Sequence, residues 1–441
     1  MNGHAQSVKQ RSLKSQRHCP IASHRRRSYM RWGAGDLVAR ASLVRQAPLE
    51  SSVVAETFDV VVLGVGGMGS SACLHLARGG ARVLGLEQFS LVHDRGSSHG
   101  ESRIIRQAYF EHPDYVPLLL RTYDHWRDLE RATNQTLFHQ TGLILSGRSD
   151  SETIVGARLS ATLHGLTLES LSPEAAHARW PAFHFPFDHA IEFEPAAGTL
   201  LVEACVQAHV DEARRHGADL RDQETVRDWT SNGNTVVVRT DSNEYHAKSL
   251  VITAGAWAGR CVADLGVPLN VLRKFVAWFP IRSGEYRVSQ GTPTYFFEQP
   301  HGTFYGFPSL DGHTIKVAEH SGGQAVTDPA TVDRTRHESD TERLSEFVAA
   351  HLTGIEPVPA RHSVCLYTVS PDQHFVVDLH PRWPNVAVAC GFSGHGFKFA
   401  PVMGEVLADL VQHGRTSQPI GFLGLNRFSQ GSSSRSQGRI V

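Results

Sequence analysis

The sequence predicts a mixed α/β (α+β) fold, with a Rossmann-like unit joined to a second domain built on an antiparallel sheet. Three stretches carry that reading. Residues 58–87 run strand, glycine loop, helix, strand. Residues 269–352 alternate apolar and polar positions and are rich in aromatics. Residues 385–413 repeat a strand, a glycine loop and a helix. Alternation at period two marks half-buried strands, and apolar residues three and four apart mark helices.

The first stretch opens with Phe58-Asp59-Val60-Val61-Val62-Leu63, a β-branched apolar run of the kind found in buried parallel strands. Gly64, Gly66 and Gly69 follow at the spacing G-x-G-x-x-G. The first glycine makes a tight turn, the second lets backbone approach a pyrophosphate, and the third lets the helix pack on the strand. A helix from Ser70 to Arg78 then aims its free N–H groups at the phosphates. Gly79-Gly80 stops it, and the strand from Ala81 ends in Glu87, an acid placed to accept from ribose hydroxyls. A glycine triplet alone is a weak signal. The whole unit of strand, triplet, helix, strand and acid predicts dinucleotide binding.

A polar loop, Gly96 to Arg106, carries His99, Arg103 and Arg106 and is positioned for ligand contact. Tyr115 to Arg131 reads as an amphipathic helix, with Leu118, Leu119, Tyr123, Trp126 and Leu129 on one face. Thr141 to Gly147 is a strand, Glu194 to Leu200 a crossing point, and Val202 to His216 a helix. Asn234 to Thr240 begins a hairpin, and Ser249 to Trp257 is a second strand with a glycine turn. Strand then follows strand through Phe275–Pro280, Tyr295–Glu298, Thr303–Pro308 and Thr314–His320. Lys316 and His320 lie four apart and share a strand face, which Tyr305 can join from a neighbouring strand. The aromatics of this region suggest a roomy apolar pocket. Asn385 to Gly391 is a buried strand leading into Phe392-Ser393-Gly394-His395-Gly396-Phe397-Lys398, and Pro401 to His413 is a helix whose start suits an anion.

Composition narrows the classes. With 43 Lys and Arg against 44 Asp and Glu, no nucleic-acid footprint is visible. No apolar run is long enough to span a bilayer. Six scattered cysteines without a CxxC pair argue against zinc and against a disulfide framework, and point to a reducing, cytoplasmic compartment. Residues 1–56 are basic and acid-poor. They read as a disordered extension, or a start placed too far upstream, in preference to a transit peptide. The Ser-, Gln- and Arg-rich end, 428–441, reads as a disordered tail.

From about Phe58 to Arg427 the chain resembles the monomeric sarcosine oxidase and N-methyltryptophan oxidase family, FAD-dependent amine oxidases of the D-amino-acid-oxidase-like fold. The motifs that carry the likeness are the Gly64–Gly69 loop, Gly96–Arg106, Tyr305–Pro308, Lys316 with His320, Cys365-Leu366-Tyr367 and Gly391–Phe399. The resemblance implies an FAD-binding domain of residues 57–138, 196–268 and 361–427, and a substrate domain of 139–195 and 269–360. It implies a thioether from Cys365 to the flavin 8α-methyl, and His99 and Arg103 against the flavin ring. Gly394, His395, Gly396 and Lys398 would lie at the cofactor. Arg106 and Lys398 would clamp the substrate carboxylate, His320 and Tyr305 would line the amine side, and Lys316 would face the flavin where oxygen reacts. The partners implied are a small amino acid and dioxygen, taken up by a monomer.

One departure is Ser98, where the family often has a first histidine before His99. Another is Phe296, where relatives can have a smaller residue, so the side chain accepted stays open. Cyclic imino acids, a flavin dehydrogenase with another acceptor, and a non-catalytic flavin protein are the alternatives. The chemistry implied is removal of a hydride from a neutral amine. Two cations beside the carboxylate disfavour a protonated amine, and the sequence offers no obvious carboxylate as a general base.

Overall fold

The computed structural model describes residues 56–283 and 285–429. The basic segment and the final tail lie outside the described residues, apart from their inner ends at Glu56 and at Phe428 and Ser429.

The first sheet grows from Glu56–Leu63, which is flanked in parallel by Val83–Leu86 and Glu244–Ile252. Its interior residues Val60 to Val62 are all buried: Val60 and Val62 share a core with helix residues such as Ala72 and Val406, and Val61 shares another with Val236, Val238 and Ala258. Trp383–Cys390 adds in parallel beyond Glu244–Ile252. Val226–Ser231 and Val236–Thr240 extend the sheet by antiparallel pairing, so the predicted hairpin closes between Val236–Thr240 and Glu244–Ile252. The helix Gly67–Arg78 presents small residues to its neighbour Ala400–His413. A Cβ on Gly404 would stand 2.2 Å from the Ser71 hydroxyl, so the two backbones meet at a distance only glycine allows.

The second sheet has nine strands. Asn270–Pro280 is its spine, paired antiparallel to Thr314–Glu319 and, along nine residues, to Arg361–Val369. Gly302–Phe307 and Thr294–Gln299 follow, and Thr294–Gln299 joins Leu143–Arg148 in parallel. The sheet is thus antiparallel except at that junction. Arg361–Val369 is hydrogen-bonded into this sheet and not into the first. A small third sheet of Ser102–Ile105, Gly198–Leu201 and Phe138–His139 lies between the polar loop and the crossing point.

Two expectations change. Residues 269–352 are not strands throughout, since Glu338–His351 is a helix. It is started by a capping box between His337 and Asp340, and it buries Leu344, Phe347 and Val348. Asp340 also receives two bonds from the buried Arg273, of 2.6 and 2.8 Å, which dock the helix on the spine strand. The aromatics of the region mostly fill a core: Phe279, Tyr295, Phe297, Phe304 and Phe347 pack together under the sheet. Phe296, Tyr305, Phe307 and His320 are the aromatic rings from the region that face a cavity. Among the described residues, no helix is long and apolar enough to cross a membrane.

Candidate active site

A cavity of about 950 Å³ runs along the carboxyl ends of the parallel strands, at the upper end of the roughly 300–1,000 Å³ common for ligand pockets. Gly64 takes φ +87° beneath it. A Cβ on Gly69 would lie 1.8 Å from the Gly64 carbonyl oxygen, so the helix start touches the strand end. Nothing lies within 4 Å of where a Cβ on Gly66 would be, and that opening leaves backbone free to approach a phosphate. Glu87 is buried at the end of the second strand and accepts from Val65 N (3.0 Å) and Phe89 N (3.1 Å). Oε1 also faces His93 Nε2 at 3.3 Å, and Oε2 keeps a lone pair for a ribose hydroxyl.

The second sheet adjoins this cavity through Leu366, Tyr367 and Thr368. Cross-strand partners share a face, and the register aligns Lys274 with Cys365, Trp278 with Lys316, and Tyr305 with Ala318. The loop 96–103 crosses this face. Arg103 donates to Ser97 O (2.5 Å) and Ser102 O (2.7 Å), with its guanidinium 3.7 Å from the Cys365 sulfur. His99 Nδ1 stands 4.0 Å from the same sulfur. Lys316 Nζ donates to Gly100 O (2.7 Å) and Ser102 O (2.9 Å) and lies 3.3 Å from Ser102 Oγ. Glu203 fixes this loop by accepting from the backbone N–H groups of Gly100 and Glu101.

That packing sets the charges. Burial pushes the Cys365 thiol up, but His99, Arg103 and Lys316 outweigh it and bring it down to about 6. Cys73, Cys205, Cys261 and Cys390 all move up through burial. Cys365 is therefore the one described cysteine held as a nucleophilic thiolate at neutral pH. Burial first, and Arg103 second, bring Lys316 down to about 7.

A second cavity of about 70 Å³ shares Arg103, Tyr367, Gly394 and Phe397 with the first. A Cβ on Gly394 would be 2.2 Å from the Tyr367 ring, which is why glycine stands there. Arg106, Lys398, His320 and Tyr305 all line this cavity. Lys398 Nζ donates to His395 O (2.7 Å), and burial, then Arg106, bring its pKa down to about 7. His320 is held neutral, down to about 3, by burial and then by Lys274. Three expected neighbours of the cofactor stand further back. His395 faces the smaller cavity, with Nδ1 2.6 Å from the Tyr109 hydroxyl, and does not line the larger one. His99 and Lys316 sit behind the lining side chains.

Sequence reasoning missed Glu111. Its carboxylate accepts from Arg106 at 2.7 and 2.5 Å. Burial would raise its pKa, but Arg106, His395 and Lys398 together take it down to about 2. An anion thus already sits at the pair of cations expected to clamp a carboxylate. The signal was slight: an acid five places after Arg106, within an aromatic run.

The glycine cradle and the acid on the second strand make a dinucleotide site, with one activated thiol beside it. Comparison with known proteins narrows this. The FAD dependent oxidoreductase family matches residues 59–410. A monomeric sarcosine oxidase of Streptomyces avermitilis is 43% identical over 379 residues, 85% of this chain and 98% of that one. An N-methyl-L-tryptophan oxidase of Salmonella enteritidis is 32% identical over 85% of this chain and 100% of that one. The solved structure of NikD, an amino acid oxidase essential for nikkomycin biosynthesis, superposes with a TM-score of 0.75 at 26% identity, covering 84% of this chain and 97% of that one. The chain belongs to the FAD dependent oxidoreductases, within the branch of monomeric sarcosine and N-methyltryptophan oxidases.

The cradle fits FAD, which yields a first expectation. Gly69→Ala forces a methyl group into the Gly64 carbonyl and the Thr253 hydroxyl, 2.6 Å away. Overpacking of that kind costs about 1–3 kcal/mol or more. The variant should unfold at a lower temperature and carry little flavin, read from the flavin-to-protein absorbance ratio. A stable, fully yellow Gly69→Ala protein would contradict the cradle.

Proposed function

We propose that the chain oxidises small secondary, N-methyl amino acids of the sarcosine type, giving formaldehyde, the free amino acid and hydrogen peroxide. One observation carries this: two buried cations, Arg106 and Lys398, and a neutral imidazole, His320, line a small cavity that shares its wall with the dinucleotide chamber. FAD held in the cradle would supply the oxidising power, as the acceptor of a hydride equivalent whose two electrons go on, with two protons, to dioxygen.

The chain's own residues do the rest. Arg106 and Lys398 bind the carboxylate by charge-assisted bonds. The substrate carboxylate competes with Glu111 for those cations. The positive surroundings disfavour an ammonium, so the amine binds neutral beside His320 and Tyr305. With the amine neutral, no base is needed to free its lone pair, and the methyl C–H can leave as hydride. Water hydrolyses the resulting imine. His99 and Arg103 would help to hold the cofactor, and Lys316 would supply a positive charge for the oxygen step. The Phe110 and Phe296 rings, 5.2 Å apart, close one side of the cavity, and its volume of about 70 Å³ favours a substrate without a bulky side chain over N-methyltryptophan. The cofactor half would comprise 57–138, 196–268 and 361–427, with its Arg361–Val369 segment shared with the substrate sheet. A reducing, cytoplasmic compartment suits the free cysteines among the described residues, and a monomer fits the relatives named monomeric sarcosine oxidases.

Cys365 is the residue assigned to the covalent flavin link. Acid precipitation of the wild type should give a yellow pellet, and Cys365→Ser a colourless pellet under a yellow supernatant. A yellow wild-type supernatant would refute the link. The function itself is tested with a panel of N-methyl and cyclic amino acids, read by peroxide formed per substrate consumed. Sarcosine should head the panel with one peroxide per turnover. Preference for proline or pipecolate, or turnover without peroxide, would replace this reading with an imino-acid oxidase or a dehydrogenase.

A further inference from the structure

Lys274 takes no part in the chemistry described so far, yet it is buried in the spine strand on the same sheet face as Cys365. Its ammonium donates to three consecutive carbonyls: His320 O at 3.0 Å, Ser321 O at 2.7 Å and Gly322 O at 3.1 Å. Every N–H of a lysine is thereby used. These carbonyls belong to the turn between Thr314–Glu319 and Gln324–Val326. Gly322 and Gly323, at φ +62° and +121°, let the turn point its oxygens inward. A Cβ on Gly323 would already stand 3.1 Å from the Lys274 Cδ, so the turn is moulded to the lysine stem.

We propose that Lys274 is the positioning residue for the amine side of the pocket, gathering the 320–322 turn and so fixing where the His320 ring stands. This rests on the reading of His320 as a wall of the amine site. The ring's other contacts are one long hydrogen bond and aromatic packing, Tyr367 included. Its Nδ1 is 3.4 Å from the Tyr367 hydroxyl, and it packs against Phe296 and Tyr305. The turn is also tied to its own hairpin, by His320 N to Thr303 O at 2.7 Å and by Ser321 Oγ, which accepts from Thr303 N at 3.0 Å and donates to Glu319 Oε1 at 2.7 Å; Lys274 alone ties its carbonyls to the spine strand. Buried carbonyls left without a donor are costly, so the turn reorganises when Lys274 is removed.

The charge matters as well as the bonds. His320 is faced by Lys274 from the spine strand, Tyr305 and Tyr367 from two other strands, and Glu111, His395 and Lys398 from across the cavity. After burial, Lys274 is the largest influence keeping the imidazole neutral, and the opposing pull comes from Glu111. A neutral ring can accept from, or donate to, a neutral amine without repelling it.

The test uses full-length holoenzyme with Lys274→Met and Lys274→Arg. Hydrogen exchange of the peptide spanning 320–324 and NMR titration of the His320 ring are read alongside anaerobic flavin reduction by sarcosine. In Lys274→Met, exchange in that peptide should rise at least about ten-fold and the His320 titration should move to higher pH. Flavin reduction should slow about ten-fold or more, while acetate affinity and reoxidation stay within about two-fold. Lys274→Arg should restore most of each. If Lys274→Met does not fold, Lys274→Gln replaces it. Unchanged exchange and titration in a folded neutral variant would overturn the proposal. Were the wild type not reduced by any secondary amino acid, the functional reading would fall, while exchange and titration would still decide the role of Lys274.

Discussion

Lys316→Met should leave anaerobic flavin reduction by substrate within about two-fold of the wild type and slow reoxidation by dioxygen about 10²–10³-fold, the range seen when a preorganised electrostatic stabiliser is removed. Lys316 is buried on the same sheet face as Cys365 and held by Gly100 O and Ser102 O, so its position is fixed before any ligand arrives. The first electron transfer to oxygen creates an anion, and a fixed ammonium nearby stabilises it without reorganisation. The sign of the pH dependence follows. Burial and Arg103 lower the Lys316 pKa to about 7, so the ammonium is present below that pH and lost above it. Reoxidation in the wild type should slow as pH rises through this titration and be flat in Lys316→Met. Stopped-flow mixing of reduced enzyme with oxygenated buffer measures both. Equal reoxidation rates would remove Lys316 from the oxygen step.

Arg106→Gln should lower kcat/KM for sarcosine about 10- to 150-fold, the equivalent of one charge-assisted bond of roughly 1.5–3 kcal/mol. The change also strands Glu111, whose carboxylate is paired with Arg106 at 2.7 Å. Breaking a buried pair from one side is strongly destabilising, so Arg106→Gln should unfold at a lower temperature than the wild type. The double variant Arg106→Gln, Glu111→Gln separates the two effects. It should recover thermal stability and leave the carboxylate affinity low. Recovery of both would mean that Arg106 serves only to neutralise Glu111.

The dinucleotide half was legible because its signals are local. The apolar run at 58–63, the glycine spacing and the terminal acid each lie within thirty residues, and the chemistry of each is set by its neighbours in sequence. The chemical state of Cys365 was not legible in that way. The groups that lower its pKa come from the loop at 99–103 and from the strand at 314–319, and only folding brings them together. Family resemblance supplied the residue; the structure supplies the reason. Glu111 escaped because a carboxylate near an arginine in sequence looks like any surface pair, and only burial on both sides makes it part of the site. Glu338–His351 was lost because one strand-like pattern was extended over a segment whose own capping residues mark a helix. The aromatics between 269 and 352 misled on pocket size, since alternation cannot tell which face of a sheet looks into a core and which into a cavity.

The most direct test is anaerobic titration of the purified yellow protein with sarcosine, followed by visible absorbance and then by admission of air. Bleaching should be stoichiometric, with one formaldehyde released per flavin reduced and one hydrogen peroxide per flavin when oxygen returns the colour. A flavin that keeps its colour in the presence of every N-methyl and cyclic amino acid would contradict the proposed function.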